Sequence, residues 1–170
     1  MKRLLLIAFL LFTFSAIPAM AADWTVVTAA VCDGSPYAWG DNSYLYCYKI
    51  SATSNADSSG DHTLSTMLTT AYGAQESEKR MRQLAGTTLF WVDYEPGAVT
   101  PTTETQITID KETTALIFDE TVTTAATAQS WRGNNDTTSY APITDVTIAM
   151  TTLADTKTAN VYLWFLGGRK

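Results

Sequence analysis

Short runs in which apolar and polar residues alternate are the feature that most limits how this chain can fold. Successive side chains of a β-strand point to opposite faces, so alternation predicts strands with one buried and one exposed face. Threonine is abundant, and β-branched residues fit such half-buried surfaces. We predict strands at residues 24–28, 44–50, 89–94, 106–110, 115–118, 146–150 and 161–166. The last run is apolar on both faces, which predicts a central strand.

Turn-forming residues separate the predicted strands. Pro96 and Gly97 end one of them, and other turn formers fall between the rest. Six or seven short strands spaced in this way predict an all-β, mainly antiparallel fold, either a β-sandwich or a jelly roll. We interpret residues 100–105 and 121–130 as linkers and residues 132–139 as an exposed loop. No sharp change of composition divides residues 22–170, so we predict a single domain.

One interval, around residues 62–85, departs from the strand pattern and predicts one or two short helices. Apolar residues recur there at helical spacing, at positions 64, 67, 68, 71 and 72. We predict that Asp61 caps the first helix and that Gly73 ends it. The second helix, predicted at residues 75–84, is supported by two acid–base pairs at i,i+4 spacing, Glu76–Arg80 and Glu78–Arg82.

The first 21 residues have the pattern of a secretory signal peptide. Lys2 and Arg3 precede an apolar run, which is followed by Pro18 and by the small residues Ala19 and Ala21. The run is shorter than the roughly 20 residues that a membrane-spanning helix needs, which disfavours the alternative of a retained anchor. We therefore predict cleavage after residue 21 and a periplasmic, cell-surface or extracellular location.

Export changes the interpretation of Cys32 and Cys47, the only cysteines. In an exported chain an even number of cysteines predicts a disulfide, and two cysteines alone cannot form a tetrahedral zinc site. The alternative is two free buried thiols. The formal net charge is −6, and removal of the leader takes away two basic residues and no acidic one. Such a chain repels a phosphate backbone, so we predict no nucleic-acid partner.

Catalytic patterns are sparse. The single histidine, His62, lies beside Asp61 and near Ser65, but no Gly-x-Ser-x-Gly turn presents a nucleophile. We interpret His62 as a solvated residue and predict no catalytic residue, no cofactor and no metal site. Paired acids leave a carboxylate-dependent hydrolase as a further hypothesis, the candidates being Asp93 with Glu95, and Asp110, Asp119 and Glu120. The polar segments 33–41 and 134–136 lack the ligand spacing of a calcium loop.

The C-terminal half carries a resemblance. A strand from Leu89 ends at Pro96-Gly97, a Pro-Thr pair follows at 101–102, and the alternating run 106–110 ends in Asp110. An apolar run at 116–118, an Asn-x-Thr-type loop, Pro142 and two closing strands come next. This order resembles small β-rich proteins encoded in the virion modules of tailed phages and prophages. The chain departs from them in having no glycine after Asp110 and in carrying a signal peptide. The resemblance implies a structural, non-enzymatic role and no particular functional residues.

Together these patterns predict a non-enzymatic exported structural or interaction protein, associated with a virion if the resemblance holds. The alternative is a cell-surface or periplasmic module that binds a glycan or a protein. Its partners would be proteins, further copies of itself, or glycans, with no stable membrane span after cleavage. Four aromatic residues are candidates for surface contact, with burial in the core as the alternative: Trp91, Tyr94, Trp131 and Tyr140.

Overall fold

The computed structural model describes residues 22–55, 62–101, 104–111, 115–123, 126–132, 144–152 and 157–168. The predicted leader, Asp61, residues 133–139 of the predicted loop and Tyr140 lie outside these ranges. The strands of the described part are β1 (Ala22–Val31), β2 (Tyr37–Trp39), β3 (Ser43–Asn55), β4 (His62–Thr63), β5 (Thr88–Pro96), β6 (Thr105–Lys111), β7 (Ala115–Val122), β8 (Gln129–Arg132), β9 (Val146–Thr152) and β10 (Thr158–Gly168). Two helices, α1 (Leu64–Tyr72) and α2 (Ala74–Leu84), stand between β4 and β5.

The all-β prediction is confirmed, because every predicted run lies within a strand and every strand pairing is antiparallel. The prediction missed β2, β4 and β8, which have only 3, 2 and 4 residues. Runs of this length are too short to show a period. The linker predicted at 121–130 is wrong at both ends, since residues 121–122 belong to β7 and residues 129–130 to β8.

The strands form one hydrogen-bonded path that folds into two layers. Its order is β7-β6-β9-β1-β3-β10-β5-β8, with β2 added beside β3 and β4 beside β9. Only Ala22 and Asp23 of β1 pair with β9, whereas most of β1 pairs with β3. This narrow link is the corner between a layer of β7, β6 and β9 and a larger layer of β1, β3, β10, β5 and β8. The two ends of the path approach each other through Phe118 of β7 and Trp131 of β8, whose ring centroids are 5.9 Å apart.

The core lies between the two layers and is filled by alternate residues of the longer strands. In β10, Val161, Leu163 and Phe165 are fully buried, and the larger layer faces Ile107 and Ile148 of the smaller one across a single cluster. The central position predicted for the C-terminal run is confirmed, because β10 pairs with β3 on one side and with β5 on the other. Its second set of side chains points away from the core and creates the surface described below.

The helical interval is also confirmed, although the residue that caps its first helix is Thr63 and not the predicted Asp61. Thr63 caps α1, its Oγ1 accepting a hydrogen bond from the Thr66 N–H at 3.4 Å, and Gly73 joins the helices with a φ of 82°. The apolar face of α1, formed by Leu64, Met67 and Leu68, is buried in the core. Both predicted i,i+4 ion pairs of α2 are formed, Glu76 with Arg80 at 2.9 Å and Glu78 with Arg82. Neither α1 nor α2, the helices of the described residues, has the length and apolarity to cross a bilayer.

Candidate functional site

The outward side of β5 and β10 carries the most unusual group of side chains in the described residues. We call the surface of the larger layer that points away from the core the outer face. Along β5 the residues Leu89, Val92 and Tyr94 are buried, which leaves Trp91, Asp93 and Glu95 on the outer face. The pairing of β5 with β10 shifts between Trp164 and Phe165. Because of this shift, the buried residue Leu89 of β5 pairs with the buried residue Phe165 of β10. Trp91 and Trp164 are direct cross-strand partners in the uninterrupted part of this pairing.

Asp93 lies at the centre of this surface and accepts three side-chain hydrogen bonds. Its Oδ1 accepts from Trp91 Nε1 at 2.8 Å and from Ser130 Oγ at 2.6 Å, and its Oδ2 accepts from Trp164 Nε1 at 2.7 Å. Register explains the convergence: Ser130 of β8 is the direct partner of Asp93, Trp91 is two residues before it, and Trp164 is a diagonal neighbour. One carboxylate thus fixes two indole rings that come from neighbouring strands.

Tyr162 and Glu95 extend the same arrangement. The Tyr162 hydroxyl donates to Glu95 Oε2 at 2.8 Å. Partial burial, this hydrogen bond and the negative charges of Glu95 and Asp93 together raise the pKa of Tyr162 to about 12. The raised pKa keeps the phenol protonated, and therefore a donor, to a higher pH than that of an ordinary tyrosine. Lys49 of β3 lies on the other side of the ring, with its Nζ 5.7 Å from the centroid.

The disulfide borders this surface. Cys32 and Cys47 are bonded, as predicted, with their Cα atoms 5.3 Å apart. The bond ties the start of the short excursion of the chain between β1 and β2 to β3, the strand with which both β1 and β2 pair. Within the excursion, Ser35 Oγ accepts from the Cys47 N–H at 2.9 Å. The excursion delivers Tyr37 to the outer face, where its ring centroid is 5.8 Å from that of Trp164.

Aromatic side chains continue toward the same end of the sheet. Trp39 is half exposed, at 50%, and its ring centroid is 5.5 Å from that of Phe90, which in turn is 6.3 Å from that of Trp91. We call the resulting set the aromatic strip: Tyr37, Trp39, Phe90, Trp91, Tyr162 and Trp164. Such a concentration of partly exposed aromatic rings is typical of binding surfaces rather than of ordinary protein exterior.

Two shallow depressions lie along the outer face. The first, of about 370 Å³, is lined mainly by Asp93, Glu95, Gln129, Ser130, Tyr162 and Trp164. The second, of about 260 Å³, is lined by short polar and small residues, among them Ser51, Thr53, Gly97 and Asn160. Glu95 of the first and Asn160 of the second are direct cross-strand partners, so the depressions adjoin. The Ser51 hydroxyl donates to Asn160 Oδ1 at 2.7 Å.

A larger depression, of about 910 Å³, runs along α2. Its charged side chains are already paired with one another: Glu76 with Lys79 at 3.6 Å, and Glu78 with Arg82. These exposed pairs are what a solvated helix face normally carries. We therefore do not place the functional site there, despite its greater volume.

The four residues predicted to make surface contacts do not share one environment. Trp91 lies on the outer face as part of the aromatic strip. Tyr94 is a correction: it is fully buried in the core, where desolvation raises its pKa to about 12. Trp131 is partly buried and packs against the core beside Phe118. Tyr140 lies outside the described residues.

Trp164, Tyr162 and Tyr37 are residues of the outer face that were not among the predicted contact residues. The first two belong to a run that was recognised as apolar on both faces, and its second face could have identified them. The position of Tyr37 depends on the chain excursion closed by the disulfide, which no periodicity reveals.

The other chemical candidates have structural roles. Ser65 donates through its hydroxyl to Asp145, and Asp145 Oδ1 also accepts from the Val146 N–H at 2.8 Å, so these groups tie α1 to β9. His62 lies on β4, paired with Ile148 of the smaller layer. Asp119 accepts a hydrogen bond from Gln106 Nε2 at 2.9 Å. Within the described ranges, no group of three or more His, Cys, Asp or Glu side chains is arranged to hold a metal ion.

No protein-family model matches the chain, and no curated protein and no solved structure shows significant similarity to it. The function has to be argued from the geometry of the outer face.

Proposed function

We propose that this chain is a non-enzymatic, exported interaction protein that binds its partner through the outer face of the larger layer. The observation that carries the proposal is the fixing of Trp91 and Trp164 by Asp93. Aromatic side chains supply large contact area at low conformational cost when they are held in place before binding. A surface whose indole rings are already held in place by a carboxylate is suited to contact with a partner.

The same hydrogen bonds argue against a catalytic role for the paired acids. Both oxygens of Asp93 accept from donors within the protein, and Glu95 accepts from Tyr162. A general acid or base must instead meet the proton of a substrate. We infer that Asp93 positions aromatic rings, and that Glu95, which keeps one oxygen for a ligand, lacks the second available carboxylate that a hydrolase needs, so the hydrolase hypothesis is the weaker one.

Export rests on the N-terminal leader pattern and agrees with the Cys32–Cys47 bond, since disulfides persist in oxidising compartments. The narrower role in a phage particle, implied by the resemblance of the C-terminal half, is compatible with a contact protein. Portal, capsid or tail genes beside this one would favour that role, and a metabolic operon would contradict it.

Binding to a cell-envelope preparation tests the proposed surface. We expect the purified protein to sediment with the preparation, and the Trp164→Ala variant to lose most of that binding. Tyr72→Ala is the control, because Tyr72 is an exposed aromatic residue, at 38%, on α1 and outside the outer face. Circular dichroism establishes that each variant is folded. Equal binding by wild type and Trp164→Ala, or binding by neither, would contradict the proposal.

A further inference from the structure

We propose that the ligand of the outer face is an extended, uncharged glycan chain, bound along the two adjoining depressions. This inference rests on the proposed function and specifies its ligand class. It starts from the composition of the first depression, where the rings of Trp164 and Tyr162 stand beside carboxylate, amide and hydroxyl groups. A sugar ring has the matching chemistry, since its C–H faces are apolar and its rim carries hydroxyl groups.

The hydrogen-bonding groups of the first depression suit hydroxyl donors. Glu95 Oε2 accepts the hydrogen bond of the Tyr162 hydroxyl, whereas Glu95 Oε1 has no hydrogen-bond partner among the described residues. Glu95 is exposed, so a ligand reaches that oxygen from solvent. A carboxylate oxygen accepts from a hydroxyl more strongly than a neutral oxygen does. Glu95 is therefore the residue that we expect to contact the first sugar most directly.

The adjoining second depression indicates a chain rather than a single sugar. Asn160 stands directly across from Glu95, and cross-strand partners lie about 5 Å apart. Beyond Asn160 the surface continues over Ser51, Thr53 and the edge of Gly97, which offer short polar groups and little relief. A ligand that leaves the aromatic rings at Tyr162 thus finds a second set of hydrogen-bonding groups across β10 and β3.

Charge narrows the class of glycan. Asp93 and Glu95 lie within the first depression, and the chain as a whole is acidic, with a formal net charge of −6. A uronic acid or a sulfated sugar would place a second negative charge beside these carboxylates and would be repelled. Lys49 is the cross-strand partner of Tyr162, and Arg132 is that of Trp91. Neither of these basic residues lines the depressions. An uncharged polysaccharide meets no such repulsion.

The test uses purified protein and defined probes: the neutral polysaccharides dextran, laminarin, xylan and glucomannan, and the anionic polysaccharides alginate and polygalacturonate. Binding is followed by calorimetry and by tryptophan fluorescence. We expect binding to at least one neutral polysaccharide and to neither anionic one. With the oligosaccharide series of the polymer that binds, affinity should rise as the chain lengthens enough to span both depressions.

Variants tie the binding to the proposed residues. Glu95→Ala should weaken binding about tenfold, the effect of losing one charge-assisted hydrogen bond. Glu104→Ala is the matched control, since Glu104 is an exposed glutamate away from both depressions, and it should bind as wild type does. Asn160→Ala should weaken binding of the long oligosaccharides and leave that of the shortest unchanged.

Three outcomes would overturn the inference: failure to bind any of the neutral probes, tighter binding to an anionic probe, or equal binding by Glu95→Ala and wild type. Pretreatment of the envelope preparation separates this failure from failure of the proposed function. If Trp164-dependent sedimentation survives periodate but not protease, the outer face binds a protein and only the glycan inference fails. If sedimentation does not depend on Trp164, the proposed function fails as well.

Discussion

Replacing Asp93 by alanine removes the one acceptor that holds the two outer-face indoles, so this variant tests the construction of the site. Hydrogen bonds to charged groups each contribute about 1.5–3 kcal/mol when buried. Asp93 is partly exposed, and water replaces part of each lost bond, so we take about 1 kcal/mol for each of its three donors. The predicted loss of unfolding free energy is therefore about 3 kcal/mol. A loss of this size leaves a typical domain folded.

Urea denaturation measures this loss. With a urea dependence of about 2 kcal/mol per molar for a small protein, the unfolding midpoint should fall by about 1.5 M. Near-ultraviolet circular dichroism should weaken at the same time, because two of the five tryptophans lose their fixed orientation. Asp119→Ala is the matched control: it removes an exposed strand aspartate with one neutral donor, Gln106. Equal midpoints for the two variants would refute the central role of Asp93.

Three further predictions concern stability. Burial raises the pKa of Tyr94 from 10.0 to about 12, so the phenol ionises in the unfolded state before it does so in the folded state, and the free energy of unfolding falls as the pH rises from 10 to 12. In urea titrations above pH 10, the free energy of unfolding of Tyr94→Phe should therefore fall less steeply with pH than that of the wild type. An equal pH dependence of the two proteins would argue against this. A Cβ on Gly97 would lie 2.8 Å from the Thr158 carbonyl carbon, so Gly97→Ala should lose about 1–3 kcal/mol, and an unchanged melting temperature would contradict the packing. Replacing both Cys32 and Cys47 by serine should lose about 3 kcal/mol, the chain-entropy value for a loop of this length, and equal urea midpoints would exclude that contribution.

The fold could be predicted because its core follows simple alternation. Tyr48 and Ile50, which are two residues apart in the predicted strand 44–50, are both buried in the core, and the apolar spacing of residues 64–68 marks the buried face of α1. The pairing of strands was not predictable in the same way. Strands β1 and β9 are more than 100 residues apart in sequence, yet they meet at the corner between the layers, and no local pattern encodes that contact.

The candidate site was only partly predictable, for a related reason. Trp91 and Asp93 are two residues apart on one strand, so their common face followed from the sequence. Their contact with Trp164 depends on the register of β5 against β10, including the irregularity beside Phe165. Tyr94 was misplaced because period-2 alternation divides a strand into two faces without saying which one is buried. Its neighbours on both sides are acids, which would have placed it in the core.

The disulfide connects the predicted export of the chain to the proposed binding surface on the outer face. Tyr37 contacts Trp164 from an excursion of the chain that is held to β3 by the Cys32–Cys47 bond and by the hydrogen bond that the Cys47 N–H donates to Ser35 Oγ. Without the covalent link, the backbone between β1 and β2 has more conformations available, and the contact of Tyr37 with the indole of Trp164 is less strongly fixed. A reducing compartment would therefore loosen one end of the aromatic strip while leaving the Asp93 hydrogen bonds in place. Partly exposed aromatic rings are a risk for aggregation when they are poorly fixed, and the protein fixes them by two independent means, a carboxylate within the sheet and a disulfide at its border. The second means requires an oxidising compartment, which the predicted export would provide.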